Sequence, residues 1–351
     1  MMRIVFLSLS VLLSSFGTRA LAATASFDSP GRSLTPVLHI LKLNAAQTVT
    51  PPAAPVRDSM KPIVLAISGL HPDEIGIGLE FRHILALWKW LFPGKKADEE
   101  KIKTELEAMH LELNAIQREA GMDKEHGNSI ERDILKAVQN RKLNITVEGF
   151  DWSRDASDTF GTIKRLAKTL KELEARAQGR PIHLVTHSWG TILAHEALFN
   201  IAEEGTPIEI ESFITMGSPL VPINLVLRIF GNIDRINERL QSRIIRPKGV
   251  ARWLNLFSKN DPFAGEIRAA DDNIRVDRLV DAYEARLLEH LNGGASRSKV
   301  NSDLRALKNG IGWHLSYTSC FKAKFIVLNE EVDWPVFEEQ IGTILQIVET
   351  N

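Results

Sequence analysis

From Pro62 onward, short apolar runs alternate with longer stretches of helical spacing. Ile63-Val64-Leu65-Ala66-Ile67 is unbroken and ends at Ser68-Gly69. Leu143 to Phe150 alternates and ends at Asp151, and Ile182 to Val185 runs into a sharp turn. Phe213 to Met216 ends at Gly217-Ser218-Pro219, and Trp253 to Phe257 ends at Ser258-Lys259-Asn260-Asp261-Pro262. Runs this short, bounded by turn residues, predict buried strands. Between them, Thr162 to Ala177 closes at Gly179 and Gly190 to Ala202 closes at Gly205, both with helical periodicity. Val336 to Val348 predicts a C-terminal helix. Such alternation predicts an α/β fold with a doubly wound, mainly parallel sheet. Ligands of such sheets sit beyond the carboxyl ends of the strands. Ile274 to Val280 and Phe325 to Leu328 both qualify as the last strand.

Two segments exceed this minimal alternation. Ala97 to Ala120 carries Ile102, Leu106, Met109, Leu113 and Ile116 at spacings of 4, 3, 4 and 3, which predicts a helix with one apolar stripe and a charged, solvated face. The second runs from about 220 to 250. It opens with Val221, Ile223, Leu225, Val226, Leu227, Ile229 and Phe230 and then turns charged, which reads as a cap-like insertion. Residues 1–22 have the form of a secretory signal peptide: Arg3, an apolar and serine stretch from Ile4 to Phe16, and Ala20-Leu21-Ala22 as the cleavage site. An export route to the periplasm or the exterior follows as the expectation. Residues 23–60, with Thr50-Pro51-Pro52-Ala53-Ala54-Pro55, read as an arm or linker, which leaves 61–351 as one domain.

The composition narrows the choice of partners. The 351 residues are 44% hydrophobic and 25% charged, the balance of an ordinary globular protein. Lys and Arg total 43 against 44 Asp and Glu, so no cationic surplus points to nucleic acid. A single cysteine, Cys320, excludes an intramolecular disulfide and a cysteine-cluster metal site. No P-loop, dinucleotide fingerprint, H-E-x-x-H or EF-hand pattern is present, so neither a metal nor a nucleotide cofactor is indicated.

The chemistry concentrates at Thr186-His187-Ser188-Trp189-Gly190, directly after a predicted strand and at the start of a predicted helix. A strand-to-helix turn this tight holds a serine on a strained, exposed backbone, with a helix N-terminus beneath it. Thr186 stands where such turns usually carry their first glycine, and a β-branched residue fits there only in the β region. Asp261 ends a later strand, and Pro262 keeps it out of helical geometry. His314 follows in Trp313-His314-Leu315-Ser316-Tyr317, after Gly310 and Gly312. Serine, acid and histidine therefore occur in the chain order of the α/β-hydrolase triad.

On these residues the chain resembles the α/β-hydrolase superfamily, esterase and lipase type. It is similar to phospholipase-like and acyltransferase-like members with an H-S-x-G elbow, a G-S-P strand end, an N-x-x-D-P acid loop and an H-x-x-Y histidine loop. The likeness runs from about Pro62 to the C-terminus. It implies Ser188 as nucleophile, His314 as general base and then acid, and Asp261 as the group orienting His314. The oxyanion of an acyl transfer needs two backbone N–H donors. The expected ones are Trp189, after the nucleophile, and Leu70, in the loop after the first strand, where Gly69 leaves room.

The implied substrate is a small-molecule or lipid carboxylic ester, with transient contact at a membrane surface. Three residues are candidates for touching it: His71 beside the oxyanion loop, and Trp88 and Phe230 at an acyl pocket, with core packing the stronger reading for Trp88. His183 and His195 read as packing residues, and His187 is expected to point away from the pocket. Asp151 and Asp271 occupy loops that also suit a triad acid. An acyltransferase or thioesterase would use the same triad, and an inactive hydrolase fold could serve as a binding protein, with Thr186 its best support. For the leader, an intact mass lacking residues 1–22 is the expected measurement on the exported protein. A mass retaining them would identify an uncleaved anchor.

Overall fold

A computed structural model describes residues 61–70, 85, 88–89, 94–120, 130–155, 158–230, 236–308, 310–318, 324–333 and 336–350. The leader and arm expected over residues 1–60 lie outside the described residues, as do His71 and Cys320.

In chain order the elements are β1 (Ile63–Ile67), α1 (Glu99–Ala120), α2 (Ile130–Arg141), β2 (Thr146–Gly149), α3 (Thr159–Ala177), β3 (Ile182–His187), α4 (Trp189–Glu203), β4 (Ile210–Met216), α5 (Ile223–Phe230) and α6 (Ile236–Gln241). They continue with β5 (Val250–Phe257), β6 (Asp272–Arg275), α7 (Arg278–Asn292), α8 (Arg297–Leu307), α9 (Gly310–Leu315), β7 (Lys324–Val327), β8 (Glu330–Asp333) and α10 (Val336–Thr350). Six strands form one sheet in the order β2-β1-β3-β4-β5-β6, and every pairing in it is parallel. The fold is therefore α/β. The chain runs from β1 outward to β2, then returns to the other side of β1 and proceeds through β3 to β6. The reversal opens a crevice between the carboxyl ends of β1 and β3, the place where open α/β sheets bind ligands.

Both faces of the sheet are buried, which explains why its central strands read as continuous apolar runs. Ile63, Leu65 and Ile67 of β1, Leu184, Phe213 and Trp253 join the core of α1, α3, α4, α5 and α6. Their neighbours Val64, Ala66, Val185, Ile214, Met216, Leu254 and Leu256 face the core of α2 and α10. A third cluster, including Val280, Leu287, Val300, Leu307 and Trp313, joins α7, α8 and α9. The expected stripe of α1 is buried at Ile102, Leu106 and Met109, while Leu111 on another face is 67% exposed. No helix among the described residues is long and apolar enough to cross a membrane.

Several expectations were sharpened by packing. Residues 220 to 250 carry α5 and α6 between β4 and β5, and Leu220, Val221, Leu225, Val226, Ile236 and Leu240 belong to the main core. Their hydrophobicity is thus explained by packing on the sheet. The last strand of the main sheet is β6, only four residues long, because Arg278 already begins α7. The other contender, Phe325 to Leu328, overlaps β7, which pairs antiparallel with β8 in a separate hairpin. The run from Leu143 shortens to Thr146–Gly149, since Leu143 still bonds back to Val138 at the end of α2.

His183 sits inside β3 without solvent exposure, its Nδ1 2.6 Å from the Ser212 hydroxyl. Its Nε2 is buried with no hydrogen-bond partner. Charging the ring would leave an N–H cation unsolvated there, so burial pushes its pKa down to about 4. A histidine whose folded pKa is depressed binds fewer protons than the unfolded chain below about pH 6.5. Its contribution is therefore intact above that pH and is lost on acidification toward pH 4. The window is worth about 3 kcal/mol at roughly 1.4 kcal/mol per unit. His183→Asn keeps a polar atom opposite Ser212 without the titration, and should flatten the acid decline of stability by about that amount. Denaturant unfolding at pH 7 and pH 4.5 measures it.

Candidate active site

The sequence around residue 188 forces a turn between β3 and α4, and Ser188 takes the strain. Its φ of 51° and ψ of −126° lie in a region that side-chain-bearing residues rarely occupy. The conformation is held from outside. The Ser188 N–H donates to the Met216 carbonyl at 2.9 Å, tying the turn to the end of β4. Thr186, in place of a glycine, remains in β3, fully buried. Its hydroxyl lies 3.2 Å from the Ile214 carbonyl and 3.1 Å from the Thr191 hydroxyl, so the β-branched side chain braces the turn.

Gly69 presses the β1 loop against the serine. A Cβ on it would lie 2.6 Å from Ser188 Cβ and 3.2 Å from Ser188 Oγ. Only glycine permits that approach.

The three residues expected as a triad meet. His314 Nε2 lies 2.9 Å from Ser188 Oγ. His314 Nδ1 lies 3.0 and 3.1 Å from the two carboxylate oxygens of Asp261. An ionised carboxylate can only accept, so Nδ1 carries the hydrogen and Nε2 is left to accept from the serine hydroxyl. Ser188 is 6% exposed, His314 1% and Asp261 not at all, so the three bonds form out of bulk water. Low local polarity strengthens each of them. The Phe263 ring meets the His314 ring edge-on at 4.7 Å and limits its rotation.

Asp261 is fixed by more than His314. Its Oδ1 accepts the Phe263 N–H at 2.8 Å. The Tyr317 hydroxyl beside it accepts the Ser258 N–H at 2.7 Å. Burial, together with the adjacent Asp261 charge, raises the Tyr317 pKa well above the phenol range, so it stays a donor. Beneath this loop, buried Asp277 accepts from the Ser258 hydroxyl, the Asn260 N–H and the Asn260 side chain, and pairs with Arg275. These supports escaped the sequence reading. The H-x-x-Y spacing was the one signal for Tyr317, and Asp277 had none beyond its place before a helix.

His187, expected to point away from the pocket, lies buried under the histidine loop. Its Nε2 is 3.1 Å from the His314 carbonyl oxygen, and its ring centroid is 5.2 Å from that of His314. Burial, then the nearby His314, lowers its pKa well below the ordinary value, so the ring is neutral and donates from Nε2.

The other named residues fall as follows. Trp189 opens α4, so its N–H has no intrahelical acceptor, and its indole donates to the Thr159 hydroxyl at 3.0 Å. Leu70 is buried in the β1 loop. Trp88 packs at the edge of the main core and donates to the Lys95 carbonyl at 3.0 Å. The side chain of Phe230 lies outside the described residues. His195 is packed against Phe199 and Trp253. Asp271 pairs with Arg246 and caps the Trp253 N–H, away from the triad, and Asp151 is exposed after β2. Among the described residues no group of three or more His, Cys, Asp or Glu is placed to hold a metal ion.

This arrangement can withdraw a proton from Ser188 Oγ along a defined path and stabilise the resulting imidazolium. Neither a protein-family model nor a curated protein matches the chain. Tyr317→Phe tests the support of the acid: it orphans the buried Ser258 N–H and should cost about 1–3 kcal/mol. A lower denaturant midpoint at unchanged m-value is the expected reading.

Proposed function

We propose that this chain is an exported serine hydrolase of the α/β-hydrolase type that cleaves a carboxylic ester through an acyl-enzyme. The observation that carries the reading is the continuous bond path Ser188–His314–Asp261, mounted on a strained turn beside the crevice between β1 and β3. A serine is a weak nucleophile at its own pKa and needs this adjacent base. His314 Nε2 takes the Oγ proton as Oγ bonds to the ester carbonyl carbon. The N–H groups of Trp189 and Leu70 receive the oxyanion. Collapse breaks the bond to the leaving alkoxide, which takes the proton back from His314. Water then repeats the sequence on the acyl-enzyme. Asp261 keeps the imidazole in the required tautomer throughout. Helices α1 and α5, which pack against one another with α1 also against the α9 helix bearing His314, are the elements that would serve as a cap.

A fluorophosphonate, mapped by peptide mass spectrometry, should give a single adduct on Ser188, and Ser188→Ala should abolish it. Asp261→Asn should lower kcat for ester hydrolysis by about 10⁴-fold, because the histidine tautomer is lost. A folded protein that forms no adduct would refute the reading.

A further inference from the structure

The loop after β1 is gripped from behind by residues that follow β2. The Trp152 indole donates to the Ser68 carbonyl at 3.1 Å. Arg154 Nε donates to the Gly69 carbonyl at 2.7 Å and its Nη2 to the Leu70 carbonyl at 2.9 Å. Three successive carbonyls of one loop thus turn toward β2. Arg154 reaches them from a left-handed backbone, φ 55°, which for a non-glycine residue costs about 1–2 kcal/mol. The surrounding structure holds it there all the same.

The peptide plane converts this grip into a direction. No peptide bond among the described residues is cis, so the C=O of Gly69 and the N–H of Leu70 point opposite ways within one planar unit. Holding that oxygen on the Arg154 side turns the Leu70 N–H to the other side of the loop. The serine lies against the loop at Gly69, since a Cβ on that glycine would stand only 2.6 Å from Ser188 Cβ. A cation on the carbonyl oxygen also polarises the amide and strengthens its N–H as a donor. The charge of Arg154 is felt under the triad as well, since it adds to the lowering of the His187 pKa.

We infer that Arg154 is a positioning residue for the oxyanion site: its two-carbonyl fork aims and polarises the Leu70 N–H toward the reacting carbonyl oxygen. This rests on the ester-hydrolase reading and goes beyond it, because neither the triad nor the loop after β1 implies a clamp from the β2 loop. Lysine could not replace it, having no planar fork for two adjacent oxygens.

The test uses the mature protein, p-nitrophenyl butyrate and a butyl trifluoromethyl ketone, whose hemiketal places an oxyanion where the transition state does. Arg154→Ala should lower kcat about 10²-fold, the scale of one lost oxyanion donor, with KM nearly unchanged. Ketone affinity should fall by a similar factor, and added guanidinium should restore part of both. Arg154→Lys should remain well below the wild type in kcat and ketone affinity, and it supplies the same readings if the alanine variant does not fold. Wild-type kcat and ketone affinity in either variant would overturn the inference. So would a loss confined to KM, or a fall in kcat without a matching loss of ketone affinity, since a loop merely loosened would behave so. A wild type that neither hydrolyses the ester nor labels at Ser188 would overturn the parent reading, and this one with it.

Discussion

A Cβ on residue 190 would stand 2.4 Å from the carbonyl oxygen of Ile67 and 2.8 Å from that of Ser68. Those distances are well inside contact, so α4 can start where it does only because Gly190 carries no side chain. The close crossing of α4 over the end of β1 is what brings the first helical turn after Ser188 down to the sheet. The chain must then pass from strand to helix at one residue, and that residue accepts a backbone that serines avoid. The strain is small beside the cooperative packing of the two strands and the helix that impose it. Without the crossing, the turn could relax and the hydroxyl would lose its aim at His314.

Around that turn the site is built in layers, each contributed by the carboxyl end of a different strand. β3 carries the serine and His187, β4 receives the Ser188 N–H, and β5 leads to Asp261. β6 leads to Asp277, which pins the loop between Ser258 and Asn260. His314 arrives on a short helix and is held by three contacts of different kinds: the carboxylate, the Phe263 ring and the hydrogen bond from His187 to its own carbonyl. Buried polar groups of this density are costly when unpaired, and here nearly every one is matched.

The strands and the meeting of Ser188, Asp261 and His314 were legible because they rest on local signals. Period and turn residues mark β1, β3, β4 and β5, and Pro262 and Gly190 mark the geometry of Asp261 and Ser188. What the sequence concealed is non-local. His187 and Arg154 are single polar residues whose roles depend on partners 127 and 85 positions away. Asp277 gives the same pattern as any helix-capping acid. β6 has one apolar residue, Ile274, among charged and polar neighbours, so an edge strand was hard to tell from a loop. The apolar stretch from Val221 read as a cap because a helix that packs on a sheet and one that covers a site share the same amphipathicity. Leu225 and Val226 of α5 pack into the main core, a contact that a cap helix seated on the sheet makes as well.

The serine and its histidine are 126 residues apart, and the acid and the histidine 53. Every strand pair of the sheet is also parallel, so its partners are joined by crossovers rather than tight hairpins. Such a topology has high contact order and folds slowly, because long loops must close before the distant pairings form. The path from Ser188 to Asp261 exists only once the segment bearing His314 is docked on the sheet. On the proposed ester-hydrolase reading, a chain still emerging, or still unfolded, would hold a serine without its base. On that reading, reactivity at Ser188 would report that the closure joining residues 126 positions apart has taken place.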